Sequence, residues 1–128
     1  MDMTYSYKPV FLLALLDCMD EFGRAKIDDV VQFFIEFYSK RRAAGDKTEK
    51  VSSLFSREVV NESEAKRNIL ANPFKRFADM RFLSYSRDFE YFELNRELVR
   101  QIKPEDIEVI RAICHKKLDM YYGKIAGA

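Results

Sequence analysis

The sequence predicts a mainly helical domain with one small β-hairpin and a long helix at its C-terminal end. Three observations lead there. Apolar residues recur at helical spacing in four separate stretches; one stretch, Phe82 to Leu94, instead alternates around a Ser86-Arg87-Asp88 turn; and Pro104-Glu105-Asp106 opens a final run with helical period. At 128 residues the chain is one domain, 1–128, with enough length for a core of its own.

The elements follow in order. Lys8 to Phe22 reads as a helix with Pro9 in its first turn, where an amide lacks a partner anyway. Its apolar positions wrap most of the way round, which predicts a central helix, and Gly23 is placed to end it. Arg24 to Ile27 suits one short strand. Asp28 then caps a second helix with Val31, Phe34, Ile35 and Tyr38 along one face, ending at Gly45.

Asp46 to Glu64 is polar and Ser-rich, with a small apolar cluster at Val51, Leu54 and Phe55. It reads as a loop with one helical turn and as the most mobile internal segment. A third helix starts at Ser63 and is interrupted at Asn72-Pro73, because the residue before proline avoids the α region. Asn72 is therefore expected to cap a fresh helix, Pro73 to Met80. In the hairpin, Leu83 and Tyr85 share one face of the first strand, and Phe92 and Leu94 one face of the second. Asn95 caps a short helix, Arg96 to Ile102. The last helix carries Ile107, Ile110, Ile113, Cys114, Leu118 and Tyr121 toward the core and frays in the tail, KIAGA. Leu12, Leu15, Phe34, Ile69, Phe77, Phe92, Ile110 and Ile113 are expected in one core. Helix, strand, helix, helix, hairpin is the order of a winged helix, here with a C-terminal helical extension.

Composition narrows the chemistry. The chain is 48% hydrophobic and 34% charged, which fits a globular protein rather than a disordered one. Cys18 and Cys114 lie in apolar helical patterns and read as free thiols in a reducing compartment. Two cysteines and the single His115 are too few for a structural zinc site, so no metal or cofactor is expected. The residues MDMTYSYK contain an acid and no basic n-region, and the run Pro9 to Leu16 is too short to cross a bilayer. A cytoplasmic protein without membrane attachment is the expectation. No nucleophile–base pair, phosphate loop or metal-nuclease spacing appears, so no catalytic residue is assigned.

Charge is more informative in its distribution than in its total, +1. Between Lys66 and Arg87 there are six basic residues (Lys66, Arg67, Lys75, Arg76, Arg81 and Arg87) against Asp79, a balance of +5. Lys40, Arg41 and Arg42 close the second helix, continued by Lys47 and Lys50. The expected DNA contacts are Arg41, Arg42, Lys66, Arg67, Lys75, Arg76, Arg81 and Arg87, with Arg41, Arg42, Lys75, Arg76 and Arg87 projecting on one continuous surface. The rival expectation is a protein-interaction module, an inhibitor or adaptor, docking through exposed aromatics such as Tyr5, Tyr7 or Tyr121.

Four stretches carry a resemblance: YSYKPVFLLALLD near the start, FYSKRRAAG at the end of the second helix, NPFKRF before the hairpin and KLDMYY in the last helix. Together they resemble an accessory domain of bacterial restriction and anti-phage proteins, where it accompanies helicase or nuclease modules. The opening Lys-Pro-leucine run is also similar to sulfur-binding domains that recognise modified DNA. The resemblance implies a DNA-facing or partner-facing role beside a helicase or nuclease, without catalysis by this domain.

Overall fold

The computed structural model describes residues 5–49, 53–57 and 59–126. Its elements are helix α1 (Tyr7–Cys18), strand β1 (Arg24–Lys26), α2 (Ile27–Ala43), a 3-10 turn (Leu54–Ser56), α3 (Glu62–Ala71), α4 (Pro73–Asp79), β2 (Leu83–Ser86), β3 (Tyr91–Leu94), α5 (Arg96–Gln101) and α6 (Pro104–Ala126). Helices dominate, and three strands form a small antiparallel sheet in the order β1-β3-β2. None of the described helices is long and apolar enough to cross a membrane.

α1 is the axis of the molecule. Val10, Phe11, Leu13, Ala14 and Leu15 are buried, because α2, α4 and α6 all pack against it. It ends at Cys18, four residues before the expected end. The reason lies in Asp20, whose carboxylate oxygen accepts the amides of Phe22 (2.9 Å) and Arg24 (3.0 Å) and folds the next residues into a turn. Gly23 closes that turn with φ +77°, and a Cβ there would lie 2.6 Å from Val99 Cγ2. Glycine is thus required at this position, though not as the end of α1.

The sheet hands over directly to α2. Register pairs Arg24 with Glu93, Ala25 with Phe92 and Lys26 with Tyr91, and the next amide, Ile27, donates to the Glu90 carbonyl at 2.9 Å. α2 therefore begins at Ile27, and Asp28 and Asp29 sit within its first turn, where acids complement the helix dipole. Gly45 follows the helix with φ +79°, and the Asp46 amide returns to the Arg41 carbonyl at 2.9 Å, as expected of a glycine C-cap.

Asn61, not Ser63, caps α3, its side chain accepting the amides of Ser63 and Glu64. Asn72 stands before Pro73 at the start of α4, but its amide group donates back to the Asn68 carbonyl rather than capping the new helix. Asn95 caps α5 by accepting the Glu97 amide at 2.9 Å. β2 and β3 pair Leu83 with Leu94 and Tyr85 with Phe92, so the inward faces match the expectation.

Aromatic rings run through the core from end to end. Phe55 stacks on Tyr38 (4.9 Å between centroids) and touches Phe34 (5.4 Å); Phe11 meets Phe34 (6.4 Å) and Phe92 (5.2 Å); Phe92 meets Phe74 and Tyr85. Leu15, Phe34, Ile69 and Phe92 are buried as expected, and Leu12, Phe77 and Ile110 pack against them half-buried. Ile113 does not belong to this core: it is 49% exposed. Cys114, Leu118, Tyr121 and Tyr122 are buried residues of α6, and Ile113 is turned away from Cys114 by one helical step.

Candidate nucleic-acid interface

α4 and the hairpin that follows it form the candidate interface. α4 lies beside β2, with Phe74 packed edge-on against Tyr85 at 6.0 Å and against Phe92 at 5.3 Å. With Phe74 and Phe77 turned inward, the intervening Lys75 and Arg76 stand exposed on the outer side of the helix. Arg81 follows α4 with φ +63°, a left-handed conformation in the position where helices usually place glycine. Its amide closes onto the Ala78 carbonyl at 2.9 Å, and the chain turns there into β2. Arg87 is exposed in the turn between the strands. The side chains of Arg67, Lys75, Arg76, Arg81 and Arg87 make no hydrogen bond or ion pair among the described residues.

Lys66 behaves differently. Its ammonium reaches from α3 to Glu90 in the hairpin turn, 2.6 Å away, and that hydrogen bond raises its pKa. The pair ties α3 to the hairpin. Lys66 and Arg87 both lie near enough to Tyr85 to oppose the rise in its pKa that burial causes. Interleaved with these cations are exposed apolar side chains: Met80, Phe82 and, at the tip of the hairpin, Phe89 at 75% exposure. The acids within the same stretch are Asp79 and Asp88, both exposed, Glu90, paired with Lys66, and Glu93, paired with Arg24.

Arg41 and Arg42 do not join this surface. α2 starts at the hairpin turn, through the Ile27–Glu90 hydrogen bond, and Arg41 lies fourteen residues on, roughly 21 Å away along the axis. Both side chains are half-buried and engaged. The Arg41 guanidinium sits 3.4 Å over the Tyr122 ring while its Nε donates to the Lys47 carbonyl at 2.6 Å. Arg42 donates to the carbonyls of Ser56 (3.1 Å) and Arg57. The expected single basic surface is therefore divided, and this half of it holds a loop in place. Lys40 and Lys47 are exposed; Lys50 and Val51 lie outside the described residues.

The loop so held contains what sequence reading missed. Thr48, Glu49, Ser53 and Phe55 are all buried, Glu49 to 2% exposure. Its carboxylate accepts from the Ser6 amide (2.6 Å), the Ser6 hydroxyl and the Tyr121 hydroxyl. Ser6 also bonds the Tyr38 hydroxyl at 2.6 Å, Tyr7 bonds Ser53, and Tyr122 donates to the Thr48 carbonyl at 2.8 Å. Burial pushes the Tyr122 hydroxyl up to about 12 and raises Tyr7, Tyr38 and Tyr121 in the same direction. A polar segment that reads as the most mobile loop is thus a plug fixed by buried groups. For the same reason Tyr7 and Tyr121, named above as adaptor contacts, are buried, and Tyr5 is half-buried in a stack with Tyr7.

Cys18 and Cys114 are free thiols, both with pKa raised by burial, Cys18 to about 11 with help from Asp17, Asp29 and Glu36. His115 is exposed on α6. Among the described residues, no three His, Cys, Asp or Glu side chains cluster as metal ligands. No family model matches the chain, and neither a curated protein nor a solved structure does.

Proposed function

We propose that this chain is a non-catalytic DNA-binding module of winged-helix type, acting in the cytoplasm within a bacterial defence or restriction-type system beside a helicase or nuclease. The observation that carries the reading is the set of Lys75, Arg76, Arg81 and Arg87, exposed without side-chain partners among the described residues on a helix and the hairpin that directly follows it. Exposed cations that form no internal pairs are what phosphate contacts require. The sheet order β1-β3-β2, with β1 contributed from before α2, supports the winged-helix assignment, α4 taking the recognition position and Arg87 the wing. Phe82 and Phe89 beside these cations add apolar surface for sugar or base contacts.

The test is a salt titration against a labelled duplex. Each phosphate contact gives a slope of about −0.9 in log affinity against log salt. Replacing Lys75 and Arg76 together with Ala weakens binding to every sequence and flattens the slope by about 2, one for each lost contact. Folding is nearly unchanged, because exposed charges contribute only about 0–1 kcal/mol. No binding by the wild-type chain at low salt sinks the proposal. A protein-docking role then takes its place, with Met80, Phe82 and Phe89 as the surface in place of the buried tyrosines.

A further inference from the structure

The face of α6 that points away from α1 carries a pattern the DNA reading does not use. Val109, Ile113 and Met120 are 57%, 49% and 61% exposed, which is unusual for three large apolar side chains of one helix. Glu105, Lys116 and Lys124 are exposed with them. At 3.6 residues per turn these six positions fall within an arc of about 100°. They form one stripe, acidic at its start, apolar along its middle and basic toward its end.

From this we infer that α6 is a self-association surface, on which a second copy of this chain docks its own α6 in antiparallel orientation. The spacing is what selects that partner. Reversing the helix about a two-fold axis between Cys114 and His115 brings Glu105 opposite Lys124 of the second copy, Val109 opposite Met120, and Ile113 opposite Lys116. Every position in the stripe acquires a complement. The two end pairs become salt bridges, the apolar residues meet each other, and the Lys116 stem lies over Ile113 with its ammonium in water. A parallel arrangement instead places like charges together at both ends. The acid-to-base polarity also suits the dipole of a lone helix. The dipole, however, has no use for an exposed apolar stripe between the charges.

Sedimentation equilibrium of the full chain over a range of concentrations tests this. The expected result is a reversible monomer–dimer equilibrium in the micromolar range, since the stripe is short for a stable interface. Ile113→Lys sets an ammonium opposite Lys116 of the second copy and weakens dimerisation by about tenfold or more, as loss of a central anchor does. Ile113 is half-exposed and outside the core, so circular dichroism and the thermal midpoint of the monomer stay as in wild type. Glu105→Lys and Lys124→Glu each weaken the dimer about threefold, as exposed pairs do, and the double exchange restores it. A monomer at all concentrations overturns the inference. So does a dimer indifferent to Ile113→Lys, or a double exchange no better than the single ones.

Discussion

Arg41 and Arg42 close α2 in a KRR run, and Arg76, Arg81 and Arg87 lie along α4 and the hairpin; by charge the two groups are interchangeable. They stand on different elements and differ in every contact. The first pair is half-buried, one guanidinium over Tyr122 and the other on the carbonyls of Ser56 and Arg57. The second group meets no partner among the described residues. The difference arises from what lies opposite. At the end of α2 a loop returns carrying unpaired carbonyls, which would be costly if left unmet, and arginine satisfies several at once. Around α4 the neighbouring strands satisfy their own backbone, and the cations are left to solvent. A basic cluster therefore signals a binding surface only when the fold presents it with nothing to neutralise.

The comparison is most easily broken at its buried end. Glu49→Ala leaves the Ser6 amide and the hydroxyls of Ser6 and Tyr121 without the acceptor they share. Each buried polar group so stranded costs about 1–3 kcal/mol, and the variant is expected to lose about 3–5 kcal/mol in urea denaturation. On the proposed reading, DNA binding by the fraction that remains folded keeps its salt slope, because the α4 surface is untouched. A loss below about 1 kcal/mol removes the claim that this loop is a structural plug.

High pH attacks the same region through its tyrosines. Burial raises the folded-state pKa of Tyr122 from 10.0 to about 12, and Tyr7, Tyr38 and Tyr121 move the same way. The unfolded chain thus releases these protons first. The stabilisation they represent is complete below the unfolded value and is lost as pH rises from about 10 through about 12. In that window stability falls by about 1.4 kcal/mol per pH unit for Tyr122, and the other three add to the fall. Tyr122→Phe reduces the slope; a flat profile across the window contradicts the burial of these hydroxyls.

Arg42→Ala gives a smaller effect. Hydrogen bonds from a charged donor to the Ser56 and Arg57 carbonyls are worth about 1.5–3 kcal/mol, and the loss appears in stability with no change of salt slope on DNA. The signature is the reverse of that for Lys75 and Arg76. A reduced salt slope for Arg42→Ala returns this residue to the proposed DNA surface and joins the two groups again.

Local signals explain which parts of the fold could be read. Gly45 with its left-handed φ, Asn72-Pro73 between two helices, Asn95 with the Glu97 amide and the alternation of Leu83 to Leu94 all act within a few residues. Each was legible for that reason. Glu49 was not, since its partners Ser6 and Tyr121 are 43 and 72 residues away and no periodicity marks a polar residue for burial. Ile113 was misplaced because α6 carries apolar residues on more than one face, and spacing alone does not say which face meets α1. The cations were legible as a list. Their division between structure and solvent depended on the returning loop.

Arg81 offers the finest test, because there folding and binding are expected to pull in opposite directions. Its φ of +63° places a residue with a Cβ in the left-handed region at the exit of α4. For an L-residue other than glycine that conformation costs roughly 1–2 kcal/mol. Arg81→Gly removes this strain, partly offset by the greater freedom of glycine in the unfolded chain, and a net gain of about 0.5–1 kcal/mol is expected. Binding should move the other way. With one phosphate contact gone, affinity drops for all sequences and the salt slope flattens by about 1. Matched urea melts and duplex titrations at several salt concentrations read both quantities from one preparation. If glycine raises stability and leaves binding intact, Arg81 is merely a poor choice of cap. A stability gain paired with a shallower slope means that a residue costly to the fold is kept for what its guanidinium reaches outside it.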